Sequence, residues 1–167
     1  MFASYVISFL AALVLHEMGH FAAAYACRVN ITEVGVGWGR RFAGFQAGGV
    51  DYVLRALPMG AYVRLDLTEL QGRPLGQQVL VLLAGIIVNL VAASATSGTH
   101  FSTMNFLLAA TNILPLYQQD GWKCGMVMLR GIMLRKSLLV EWIFTIAGSS
   151  LSILLFGALL ARCLKAR

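Results

Sequence analysis

Four long apolar segments constrain the fold of this chain more than any other feature of its sequence. They cover residues 3–25, 79–97, 101–117 and 138–160, and each is close to the roughly 20 residues that a helix needs to cross a membrane. The chain is 59% hydrophobic and only 12% charged, unlike an ordinary soluble domain. The sequence therefore predicts an α-helical membrane protein with about four transmembrane helices. At 167 residues, we expect one domain spanning residues 1–167.

The basic residues are unevenly distributed and predict the orientation of the chain. Ten of the 13 lysine and arginine residues lie between the first and second segments or between the third and fourth, and none lies in 94–105. The positive-inside rule places the first and third connections in the cytosol and the second outside. Because the charge follows the apolar segments, the net charge of +6 indicates a lipid bilayer as the surroundings and no nucleic-acid partner. We expect a multi-pass protein of a prokaryotic cytoplasmic membrane.

The stretch between the first two apolar segments, residues 29–67, has the pattern of β-strands. Glycines interrupt it repeatedly, and polar and apolar residues alternate over 61–66, as on a strand with one wet face. The sequence predicts a β-hairpin or small sheet here. The alternative is an unstructured cytosolic loop.

His16, Glu17 and His20 form an HExxH motif inside the first apolar segment. On a helix, positions i and i+4 share a face, so two imidazoles can bind one metal ion while Glu17 can reach a water on that ion. Ionisable side chains at membrane depth cost about 2–3 kcal/mol or more each, so a cluster of three indicates function. The alternative is a chance match to the motif.

A catalytic zinc ion normally has three protein ligands, so two histidines leave it one short. The remaining carboxylates are Glu33, Asp51, Asp66, Glu69, Asp120 and Glu141. Asp120 is favoured because it ends a polar, helix-breaking patch, and irregular backbone at membrane depth is tolerated where it is buried or lines a wet cavity. The first and third segments cross in the same direction, so we expect His20 and Asp120 at similar depth. The alternative for Asp120 is a helix cap at the membrane interface.

Five sequence elements, in order, resemble the motifs of the site-2 protease family of intramembrane zinc metalloproteases. They are the HExxH at 16–20, the glycine-rich stretch 35–39, a PxGGYV-like stretch at 58–63, Gly85 with Asn89 in a GPxxN-like element, and an NxxPxxxxDG motif at 112–121. In the fourth element the glycine permits close helix approach and the amide can hydrogen-bond between helices. Ile86 replaces the usual proline there. The chain resembles a minimal core without PDZ or CBS domains.

The resemblance implies a function, regulated intramembrane proteolysis by a zinc metalloendopeptidase, and a set of site residues. The implied zinc ligands are His16, His20 and Asp120, and Glu17 is the implied general base. The residues expected to contact substrate are Asn112, Asn89, Tyr62 and Val63. The implied substrates are single-span membrane proteins or peptides, cut within or near their transmembrane segments. A membrane-associated β-region would handle the substrate strand, and a separate membrane protein would supply regulation.

Two other functions stay open on the sequence. The chain can be a non-cleaving, zinc-containing membrane module that binds a partner, because it is short and lacks accessory domains. It can also be a metal transporter, since histidines and carboxylates within a membrane also line ion pathways. A comparison of the wild type with Glu17→Gln separates the first alternative from an enzyme, and zinc flux into proteoliposomes would favour the second.

Overall fold

The computed structural model describes residues 2–132 and 137–165 and is mainly helical. Its elements, in chain order, are α1 (Phe2–Ala26), β1 (Ile31–Ala47), β2 (Val50–Leu65), α2 (Leu67–Gln71), α3 (Leu75–Ala95), α4 (His100–Asn112), α5 (Asp120–Ile132) and α6 (Leu138–Lys165). Within the described ranges, three helical stretches are long and apolar enough to cross a membrane: Ala3–Ala26, Leu75–Ala95 and Leu138–Ala158. They correspond to the first, second and fourth predicted segments. Arg135 and Lys136, two of the basic residues behind the predicted orientation, lie outside the described residues.

The third predicted segment, 101–117, differs from the structure. Helix α4 ends at Asn112 after 13 residues, so it is about 20 Å long and shorter than a hydrocarbon core of about 30 Å. The end has a local cause, because the residue before Pro115 is disfavoured in helical conformation. The count of four transmembrane helices is therefore not confirmed. Helix α5, which begins at Asp120, lies where the sequence analysis placed only a cytosolic connection.

Strands β1 and β2 form an antiparallel pair, so the hairpin predicted for 29–67 is confirmed and the unstructured loop is wrong. Gly48 and Gly49 form its two-residue turn, both with positive φ, as a type I′ turn requires. The strands are 17 and 16 residues long, so they continue through the glycines that interrupt the sequence pattern. Val34 lies opposite both Val63 and Tyr52. The stretch 33–36 is thus flanked by two parts of β2, and the hairpin is doubled back on itself.

Helices α1, α3 and α4 pack against one another, and Gly85 of α3 lies against the two histidines of α1. A Cβ atom at position 85 would lie 2.6 Å from His20 Nε2 and 2.7 Å from His16 Cε1. The glycine therefore leaves the space that the two imidazoles occupy. The prediction that a small residue here permits close helix approach is confirmed.

Helix α6 lies at the edge of the bundle, with most of its described apolar side chains exposed. Its attachment combines stacking of Phe144 on Trp122 with polar contacts. Arg130 donates two hydrogen bonds to Glu141, at 2.8 and 2.9 Å, and the Tyr117 N–H donates to Ser152 Oγ at 3.1 Å. An apolar helix surface of this kind suits contact with lipid.

Candidate metal centre

Three side chains from distant parts of the chain converge beside α3. His16 and His20 share one face of α1, and Asp120 is the first residue of α5. Asp120 Oδ2 lies 3.0 Å from the Nε2 atom of each histidine, and the two Nε2 atoms are 3.2 Å apart. The three side chains are 4%, 12% and 8% exposed for His16, His20 and Asp120. The prediction that His20 and Asp120 lie at similar depth is confirmed.

The second nitrogen of each imidazole faces an oxygen. His16 Nδ1 is 2.5 Å from Asn89 Oδ1, and His20 Nδ1 is 2.8 Å from the Val81 carbonyl oxygen. Carbonyl oxygens only accept hydrogen bonds, so each Nδ1 carries a proton. In a neutral imidazole, the other nitrogen then carries a lone pair. Both Nε2 atoms therefore present lone pairs towards each other and towards Asp120.

This donor set requires a cation. Three electron-pair donors within 3.2 Å of one another repel unless a metal ion or an additional proton lies among them. A tetrahedral zinc ion with Zn–N bonds of about 2.0–2.1 Å would separate its ligand atoms by about 3.3 Å, close to the observed separations. Two nitrogens and one carboxylate oxygen are also the ligand types of catalytic zinc. The residues present therefore fit a zinc ion.

The other carboxylates that the sequence leaves as candidate ligands have different partners. Glu33 bonds Arg55 and Arg64, Asp51 bonds Arg41, Asp66 caps α2, Glu69 bonds Arg73 and Glu141 bonds Arg130. Asp120 is the carboxylate that lies with both histidines among the described residues.

The free oxygen of Asp120, Oδ1, accepts a hydrogen bond from Lys123 Nζ at 3.0 Å. The positive charge of the Lys123 ammonium favours the ionised form of Asp120, which is the form that a metal ligand needs.

Glu17 lies between the metal ligands and strand β2. Its Oε2 accepts a hydrogen bond of 3.0 Å from the main-chain N–H of Val63. Glu17 lines an apolar cavity of about 300 Å³ beneath the hairpin and a second cavity of about 200 Å³ that reaches Asp120. Tyr62 and Val63 line both cavities. These two residues lie where a substrate beside Glu17 would pass, and their contact with substrate stays a prediction.

Asn89 and Asn112 have environments unlike those expected for substrate-binding residues. Asn89 has no exposed surface and bonds His16 on the side away from Asp120. The predicted substrate contact does not fit this position, because a substrate has no access to the side chain. The Asn112 amide donates to the Leu108 carbonyl of its own helix at 3.0 Å and does not line either cavity beside Glu17.

Tyr62 fixes the part of the hairpin nearest Glu17. Its hydroxyl donates to Glu33 and accepts a hydrogen bond of 2.7 Å from Arg55 Nε. The guanidinium groups of Arg55 and Arg64 lie over the Tyr62 ring, 5.5 and 5.4 Å from its centroid, at cation–π distance. The hydrogen bond from Tyr62 lowers the pKa of Glu33 below its ordinary value. The cluster therefore holds Glu33 ionised and away from the metal ligands.

Two residues near the site have no place in the sequence motifs. Lys123 is three positions after Asp120 on α5, a spacing that brings side chains together. Asn105 is a fully buried amide in α4 that accepts a hydrogen bond of 2.6 Å from Asn89. An amide inside an apolar helix is a signal that could have drawn attention to Asn105.

Comparison with known proteins identifies the family. A family model described as peptidase family M50 matches residues 4–101. The chain belongs to peptidase family M50. The resemblance to the site-2 proteases is thereby confirmed. The matched residues of this M50 chain include the HExxH motif, whereas Asp120 lies beyond them.

Several relatives of the M50 chain carry metalloprotease names. A protein of Synechocystis sp., named as a candidate zinc metalloprotease, is 34% identical over 113 residues, which are 60% of this chain and 31% of the relative. The chloroplastic membrane metalloprotease ARASP of Arabidopsis thaliana is 34% identical over 95 residues, 50% of this chain and 21% of the relative. A relative from Clostridium perfringens is 31% identical over 96 residues, 53% and 29% of the two chains. The M50 chain thus spans about a fifth to a third of each.

Proposed function

We propose that this chain is an intramembrane zinc metalloendopeptidase that hydrolyses peptide bonds within or near the transmembrane segments of membrane proteins. The observation that carries the proposal is the position of Glu17. Its carboxylate lies beside three converging metal-ligand atoms and accepts a hydrogen bond from the main chain of β2. The candidate base, the three candidate metal ligands and the edge of β2 are thus adjacent to one another.

His16, His20 and Asp120 would hold the ion. Zinc, when bound, supplies Lewis acidity that polarises a substrate carbonyl and makes a water more acidic. Glu17 would remove the proton from the attacking water and deliver it to the nitrogen of the departing peptide. Lys123 would keep Asp120 oriented through its second oxygen.

The position of the β2 edge beside Glu17 favours a substrate bound in an extended conformation. A transmembrane helix satisfies its carbonyl groups internally, so a scissile peptide bond has to be unwound before attack. The N–H of Val63 bonds Glu17, which shows that this part of β2 turns main-chain groups towards the base. A substrate strand added along this edge would be held extended beside Glu17.

The substrate class and location belong to the same proposal. Single-span membrane proteins or peptides are the expected substrates, and a separate membrane protein is the expected regulator. The proposed location is a prokaryotic cytoplasmic membrane, and the distribution of basic residues supports an active site near the cytosolic side.

Glu17→Gln tests the function. The amide keeps the shape of the side chain but removes the base, so the variant should retain zinc and lose cleavage. The membrane proteomes of cells that express wild type or variant would be compared for fragments, and zinc would be measured on the purified proteins. Glu69→Gln makes the same chemical change at a residue that bonds Arg73, and it should cleave normally.

Each result has a distinct meaning. Identical fragment patterns for wild type and Glu17→Gln would reject the protease. A partner retained by both proteins without cleavage would indicate the binding module, and zinc flux into proteoliposomes would indicate the transporter.

A further inference from the structure

We propose that Asn105 is a positioning residue that acts through Asn89 to fix the proton of His16 and so sets the metal affinity of the site. The inference rests on the proposed zinc centre and concerns residues that do not touch the ion. It begins from two asparagines, Asn89 and Asn105, that are fully buried on adjacent helices.

The two amides form one chain of hydrogen bonds that ends at His16. Asn105 Nδ2 donates to the Phe101 carbonyl at 2.9 Å, which turns Asn105 Oδ1 towards α3. That oxygen accepts a hydrogen bond of 2.6 Å from Asn89 Nδ2. Asn89 Oδ1 is then directed at His16 Nδ1, 2.5 Å away. The orientation of each amide is assigned from this network.

The orientation of Asn89 matters because its two ends have opposite hydrogen-bonding character. If the amide were flipped, its NH₂ group would face His16 Nδ1, which would have to carry the lone pair. In a neutral imidazole the proton would then lie on Nε2, the atom that points at Asp120. A protonated Nε2 cannot bind a metal ion, so the flipped amide is incompatible with the site.

Two oxygens oppose the flip, and Asn105 provides the closer one. Asn89 Nδ2 donates to Asn105 Oδ1 at 2.6 Å and to the Ala12 carbonyl at 3.1 Å. The Ala12 carbonyl also lies in the interior of helix α1, where main-chain carbonyls accept helical hydrogen bonds. In a variant without the Asn105 oxygen, flipping the Asn89 amide would cost one hydrogen bond fewer than it does in the wild type. Changing the outer partner of a metal-binding histidine typically costs 10–100-fold in metal affinity.

Asn105 could instead serve only to attach α4 to α3, and the test separates the two roles. Ser102 provides the matched control, because its hydroxyl donates to the Ala93 carbonyl of α3 at 2.6 Å. Ser102→Ala removes a bond between the same two helices without touching the amide chain. Asn105→Leu and Asn105→Ala remove the acceptor for Asn89, whereas Asn105→Asp keeps an oxygen there.

Zinc affinity would be measured by chelator competition on the full chain in nanodiscs, with thermal unfolding of the zinc-free proteins as a second readout. Asn105→Leu and Asn105→Ala should bind zinc more weakly, by at most the roughly 10–100-fold that loss of a histidine's direct partner costs, while Asn105→Asp and Ser102→Ala should bind like wild type. If the leucine variant does not fold, the smaller alanine variant decides.

Unchanged affinity in Asn105→Leu and Asn105→Ala would overturn the inference, and so would an equal loss in Ser102→Ala. Lower thermal stability with unchanged zinc affinity in these variants would likewise mean that Asn105 serves only to attach α4 to α3. Absence of zinc from the wild type would overturn the proposed metal centre itself, so the two failures are distinguishable.

Discussion

Gly85→Ala should damage the metal centre although residue 85 contributes no ligand. The added methyl group would lie 2.6 Å from His20 Nε2 and 2.7 Å from His16 Cε1. Relief by a shift of α3 is obstructed, because the same helix supplies Asn89 and the Val81 carbonyl to the two imidazoles. A movement that opens space for the methyl group also pulls away the groups that orient the histidines.

The size of the effect follows from the distances. Ordinary van der Waals contact begins near 3.4 Å, so the new methyl group and His20 Nε2, which would be 2.6 Å apart, must separate by about 0.8 Å. Overpacking of this kind costs about 1–3 kcal/mol in stability. A misplacement near 1 Å in a catalytic group can lower turnover about 100-fold. We expect losses of this order, together with weaker zinc binding.

The assay is zinc content, thermal unfolding and cleavage on the same preparations. Gly76→Ala is the control, since it makes the same change in the same helix and its Cβ would meet no atom within 4 Å. It should be neutral or slightly stabilising, because alanine favours a helix more than glycine does. Wild-type zinc content and cleavage in Gly85→Ala would refute the argument that the glycine makes room for the imidazoles.

Three further perturbations test the hairpin and the orientation. Val63→Pro deletes the main-chain donor to Glu17 and should impair cleavage with zinc retained, whereas Val63→Thr should be mild; normal cleavage by the proline variant would sink the strand-addition proposal. The pKa of Glu33 is lowered from 4.5, and the largest cause is the hydrogen bond from Tyr62. The stability that ionised Glu33 adds to the hairpin is therefore complete above pH 4.5 and is lost as the pH falls through the lowered pKa. Amide exchange in β1 should show this loss in wild type and not in Glu33→Gln, and identical acid profiles would contradict it. Single cysteines at positions 49 and 99, in a background without native cysteines, should label from opposite sides of the membrane; labelling from one side would contradict the predicted orientation.

The sequence predicted those parts of the site that depend on local geometry. The spacing of His16 and His20 places both on one helix face, since that geometry is fixed by helix periodicity alone. Asp120 was identifiable because a polar, helix-breaking patch at the end of an apolar segment requires a structural reason. The hairpin was likewise predicted from a local pattern, the alternation of polar and apolar residues over 61–66 in a stretch interrupted by glycines.

The parts that the sequence did not reveal depend on how elements dock. The Val63 N–H and the Val81 carbonyl belong to the main chain, so no side chain signals that they bond Glu17 and His20. The partnership of Asn89 with Asn105 exists only after α3 and α4 pack. The end of α4 was mispredicted because hydropathy extended the segment past Pro115, where backbone sterics end the helix.

The wide separation of the metal ligands along the chain determines the order in which the site is completed during synthesis. His16 precedes Asn89 by 73 positions and Asp120 by 104. A ribosome therefore produces the two imidazoles first, then the amide that fixes one of them, and last the carboxylate. Before α5 emerges, the chain offers a metal ion the two nitrogens without the carboxylate of Asp120. Stable metal uptake at the proposed centre would therefore wait for the helices to assemble, and a loaded ion would mark a chain whose folding has reached α5.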